Sequence, residues 1–187
     1  MATKKNPFAG KGKDDVMASY QYINKDGNYY VRLDNCKIGR NRKKRELAFI
    51  EVTILKVLSD EAEHKVGQTV SKAVGLDNDY LMTDITDLLK AAIGEHVMEL
   101  SDEELTELCW EMFPHVDEGG QSPLKNIVLE LQSWEQEKQD GDPFTKVKWS
   151  SGPPVEKLPD ILGQETLDRF FPPDVYEGML KAEQTTA

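Results

Sequence analysis

The chain has 187 residues, 39% apolar and 30% charged, with a formal net charge of −11 at pH 7. That length supports one domain with a substantial core plus extensions, and no run approaches the roughly 18 apolar residues of a membrane span. The start, MATKKNPFAGKGKDD, has no apolar stretch behind its lysines, so it is not a secretory signal and a cytoplasmic location is expected.

Charge is unevenly spread. Residues 1–45 hold 12 Lys/Arg against 4 Asp/Glu, or +8, and residues 46–187 hold 11 against 30, or −19, which together recover −11. The overall sign therefore says little about the local field, because exposed charges are screened beyond about 10 Å. Cys36 and Cys109 match no zinc-ligand spacing and are expected to be reduced and buried, and His64, His96 and His115 are too scattered for a metal site.

Residues 1–24 mix Lys, Gly, Asn and Asp and predict a flexible basic arm. After the Asp26-Gly27 turn signal, NYYVRLDNCKI alternates as a strand, with Tyr29, Val31 and Leu33 inward and Tyr30, Arg32 and Asp34 outward. ELAFIEVTILKVL is the second strand: Ala48, Ile50, Val52 and Ile54 form a mostly β-branched inner row, leaving Phe49, Glu51 and Thr53 outside. The joining turn, GRNRKKR, is the most basic stretch of the chain. Lys65 to Val74 is expected as a third strand, interrupted by Gly67.

The period then changes. Leu81, Ile85, Leu88, Leu89 and Ala92 fall on one helical stripe, with Gly94 at the C-terminal cap. Ser101 followed by Glu104 is a capping-box pattern opening a second helix, whose Leu105, Leu108, Cys109 and Met112 form the buried stripe; Trp110 and Phe113 are assigned to the core with them. Leu124 to Ser151 reads as a hairpin around KQDGDP, with Val147 and Trp149 inward and Lys146 and Lys148 outward. Parity puts Trp134 outside, or back in the core if a bulge intervenes near the turn. From residue 152 the chain becomes proline-rich, then carries apolar residues enough for one or two short helices that dock on the domain or bind a partner.

Three strands, a helical insert and a hairpin is the element order of a mainly β fold, a five-stranded Greek-key barrel of the OB type, with two helices between strands 3 and 4 and a helical tail. The domain is expected over residues 25–151 and the linker and tail over 152–187. Outward rings beside cations suit a flexible polyanion with unpaired bases. Tyr30, Phe49 and Trp134 would stack bases, while Arg32, Lys37, Arg40, Arg42, Lys43, Lys44, Arg45, Lys146 and Lys148 would hold phosphates. The carboxylates form no recognisable metal motif, and there is no Walker A or GxGxxG, so neither an enzyme nor a cofactor is expected. The competing reading is an acidic interaction protein, or DNA mimic, that engages a basic partner.

The segments GNYYVRLDNCKIG, the basic turn, FIEVTILKVL, HKVGQTVS, a helix ending AAIG and a hairpin ending VKW resemble the OB-fold single-stranded-DNA-binding proteins of tailed bacteriophages, over about residues 27–151. The resemblance implies a protein that coats exposed strands during phage DNA replication or recombination in the host cytoplasm, with replication or recombination proteins as candidate partners of its tail. The chain departs from that class in ending EQTTA, where many members have an acidic tail with a terminal Phe, and in the acidity of ELSDEELTELCWEMF, which suggests an insert facing away from the strand.

Overall fold

The computed structural model describes residues 21–137 and 144–186. Six strands, β1 (Gln21–Tyr22), β2 (Gly27–Arg40), β3 (Glu46–Val57), β4 (Thr69–Gly75), β5 (Val128–Gln136) and β6 (Phe144–Ser151), lie in the order β1-β4-β3-β2-β5-β6. β2 to β6 form a five-stranded antiparallel sheet, and β1 adds in parallel to β4. Alternation fills its inner face: Tyr29, Val31, Leu33, Ala48, Ile50, Val52 and Ile54 are all fully buried. Register shifts between β2 and β3 at Tyr30/Val31 and Leu33/Asn35 break strict alternation. Ile54 and its neighbour Leu55 are consequently both buried, each in a different hydrophobic cluster.

Two helices cover the inner face. α1 (Leu81–Ile93) contributes Ile85, Leu88 and Leu89 and ends at Gly94, whose φ of 109° is open chiefly to glycine. α2 (Asp102–Met112) begins with the expected capping box: the Ser101 hydroxyl accepts from the Glu104 N–H, and the Glu104 carboxylate accepts from the Ser101 N–H at 2.9 Å. Trp149 and Phe113 are in this core, as expected, but Trp110 is 57% exposed. The reason lies in the helical period: two residues along a helix is about 200°, so Trp110 points away from the stripe to which Leu108 and Met112 belong.

The expected barrel does not close. Among the described residues no ladder joins β4 to β6. The outer edge of β4 is taken instead by β1, with Gln21 opposite Val70 and Tyr22 opposite Ser71, and the Ile23 N–H donates to the Ser71 carbonyl at 2.9 Å. Backbone groups used this way are not available for closure. Residues 21–22, assigned from sequence to the arm, thus belong to the sheet, and residues 1–20 of that arm lie outside the described residues. The third strand is shorter than expected, starting at Thr69, because Gly67 (φ 84°) lies in a turn and Val66 is exposed. The hairpin turn at 138–143 is outside the described residues.

Beyond β6 the chain crosses to the outer face. A β-carbon on Gly152 would lie 2.1 Å from the Val128 carbonyl oxygen, so only glycine passes there without displacing β5. A 3-10 turn (Val155–Lys157) then leads into α3 (Leu158–Leu162), α4 (Gln164–Phe170) and α5 (Pro173–Thr186). Leu158, Leu167, Phe170 and Phe171 bury themselves with Leu55 and Val128 in a second cluster, against which Tyr30, Tyr176 and Met179 pack. The tail docks on its own domain.

Candidate nucleic-acid interface

The tail divides the outer face. Tyr30 is half-buried against the tail cluster. Arg32 is engaged on every side: its Nε donates to Asp34 Oδ1 at 2.8 Å, another guanidinium nitrogen donates to the Phe170 carbonyl, and its charge lies 5.7 Å from the Phe171 ring centre and 6.0 Å from that of Phe170. A cation so held has few donors left for a phosphate. Asp34 in turn accepts from the Thr53 hydroxyl at 2.6 Å, fixing the guanidinium's partner. Lys37 is likewise committed, with Nζ 2.9 and 3.0 Å from the two Glu51 oxygens. Phe49 is half-buried opposite Lys37, and its ring edge lies near Gly39.

The basic turn is built rather than loose. The Asn41 side-chain oxygen accepts from the N–H groups of Lys43 (2.9 Å) and Arg45 (3.0 Å), and the Asn41 carbonyl accepts from Lys44. Lys44 is held at φ 60°, an uncommon conformation for a residue with a β-carbon. Arg40 pairs with Glu46 at 3.1 Å, and Arg45 forks onto Asp77, its Nε 2.9 and 3.0 Å from the two carboxylate oxygens. That guanidinium, through hydrogen bonding first and charge second, lowers the Asp77 pKa. Arg40, Lys44 and Arg45, with Glu46, Leu76 and Asp77, line an open cleft of about 600 Å³. Arg42, Lys43 and Lys44 are exposed.

At the other end of the face the tail leaves outward residues of β5 and β6 exposed. Trp134 points outward, 36% exposed, and sits directly opposite Lys146; Gln132 is opposite Lys148. Phe144, also 36% exposed, has the same parity as the two lysines. Sequence reading resolved neither Trp134's direction nor Phe144's place in the group, although the parity of FTKVKWSS held the second. It also missed that Phe170 and Phe171 would cap Arg32; the only local signal was an apolar pair next to Pro172-Pro173.

Among the described residues no group of three His, Cys, Asp or Glu side chains could hold a metal ion, and no helix is long and apolar enough to cross a membrane. Burial pushes the Cys36 thiol up to about 12, so it is no nucleophile at neutral pH. Comparison with protein-family models finds none that matches the chain, and comparison with curated proteins finds no match either.

Proposed function

We propose that this chain binds single-stranded DNA without marked sequence preference, with the uncovered hairpin end of the outer face as its stacking platform. The observation that carries the reading is the group Trp134, Phe144, Lys146 and Lys148: two exposed rings and two exposed cations on one face of a two-stranded ladder. Rings offer faces to unpaired bases, worth about 1–3 kcal/mol per base, while lysines neutralise the phosphates between them. A duplex hides its base faces and gains only the phosphate contacts. The basic turn, with Arg42, Lys43 and Lys44 exposed, supplies further phosphate contacts, while Tyr30 and Arg32 serve the docked tail.

The strand order supports the same class. Numbered from β2 to β6, the five antiparallel strands run 3-2-1-4-5, with α1 and α2 between the third and fourth, an order that we read as that of an OB-like Greek key left open. The likeness to phage single-stranded-DNA-binding proteins extends the proposal to the coating of strands exposed during phage replication or recombination.

The test is fluorescence anisotropy with a labelled oligothymidine and a matched duplex at two salt concentrations. Wild type is expected to prefer the single strand and weaken steeply with salt. A Trp134→Ala/Phe144→Ala variant should lose about tenfold or more in affinity, whereas Tyr30→Ala should act chiefly on stability. Wild-type protein that is folded yet binds neither ligand sinks the proposal.

A further inference from the structure

We propose that two copies of this chain pair about a two-fold axis, the basic β2–β3 turn of each seated on the outer face of α2 of the other. The α2 surface is the least expected one in the molecule. Trp110 is 57% exposed. Glu103, Glu107 and Glu111, also exposed, stand at i−7, i−3 and i+1, within an arc of about 100° on the same side of the helix. Residues 102–111 hold five carboxylates and no Lys or Arg. A large ring left in water beside a row of like charges is the composition of a docking anchor. The partner for such a face is a cationic segment able to cover an indole.

The chain carries that segment itself. Lys43 and Lys44 project from a turn whose shape is set by the Asn41 hydrogen bonds, with Arg40 and Arg45 anchored by Glu46 and Asp77. The chain leaving α2 runs onto the base of that turn: the Pro114 carbonyl accepts from the Ile38 N–H at 3.0 Å, His115 bridges to Ile38, and Val116 packs over Gly39, the first residue of the basic turn, so that the two complementary patches lie toward one end of the fold. Val116 is itself 49% exposed between them. Basic and acidic patches side by side are self-complementary under a two-fold rotation, which forms two turn-on-helix contacts at once and closes the assembly at a dimer. The inference does not rest on strand binding; where both hold, DNA competes for Lys43 and Lys44.

Sedimentation velocity in the absence of nucleic acid tests it. Wild type is expected to dimerise at low salt and dissociate as salt is raised. Lys43→Glu/Lys44→Glu and Glu107→Lys/Glu111→Lys should each weaken the dimer by about a hundredfold or more, since both symmetric contacts become repulsive. Mixed in equal amounts, the two variants should regain a dimer, because each reversed turn then meets a reversed helix. Trp110→Ala should weaken the dimer at low salt yet leave the melting temperature unchanged at high salt, where wild type is already monomeric, the ring being outside the core. A wild type monomeric throughout, a dimer indifferent to both reversals, or a mixture that stays monomeric overturns the proposal.

Discussion

Phe171→Ala probes the contact that decides which part of the outer face is covered. The ring is 1% exposed, in the cluster formed with Leu55, Val128, Leu158 and Leu167, and lies against the Arg32 guanidinium. Truncating a buried Phe costs about 3–5 kcal/mol, and loss of the half-buried cation–π contact adds about 1 kcal/mol. At about 2–4 °C per kcal/mol for a chain of this size, full coupling of tail to domain lowers the melting temperature by roughly 10 °C or more. The tail is a local unit, so its own docking free energy caps that loss: a weakly coupled tail detaches before the sheet melts. Two readouts therefore go together. Thermal denaturation reports coupled unfolding, and trypsin cleavage after Lys157 and Arg169, both exposed residues within the docked segment, reports detachment. Either a large drop in melting temperature or a strong rise in cleavage is expected. A variant that matches wild type in both would refute the assignment of Phe171 as the anchor of the tail.

Two further outcomes follow from single groups. Gly152→Ala sets a methyl group 2.1 Å from the Val128 carbonyl oxygen, so the strand-to-tail crossing must shift; a loss of about 1–3 kcal/mol in urea denaturation is expected, and a neutral result would contradict the close approach. His64 is buried beside Tyr29, its ring centre 5.7 Å away, and its Nε2 has no hydrogen-bond partner; burial holds its pKa below the ordinary 6.5. The unfolded chain then binds the proton first, so the His64 contribution is complete above about pH 6.5 and declines as pH falls through the window down to the lowered folded value. The urea midpoint should drop between about pH 7.5 and about pH 5.5, and His64→Gln should flatten that slope. Asp77 and Glu104, whose pKa values are also lowered, act only in the carboxylate range below about 4.5 and leave this window clear.

Periodicity alone determined much of the fold. The inner rows of β2 and β3, the stripe of α1 and the capping box of α2 follow from spacings of two to four residues, which the backbone geometry of strand and helix imposes locally. The exposure of Trp110 was legible by the same rule, had the helical angle outweighed the size of the ring. Whether an outward residue meets solvent is a different matter. Tyr30 and Trp134 are both outward-facing aromatics, yet one lies against the tail and the other remains open, and Arg32 donates to a carbonyl 138 residues further along the chain. The sheet edge makes the same point, since part of the β4 edge is taken by a two-residue strand with almost no pattern of its own. Parity places a side chain on a face, but only the tertiary structure decides what covers that face, because the covering segment is brought there by burial of Leu158, Leu167, Phe170 and Phe171 and not by any local preference of the residues beneath.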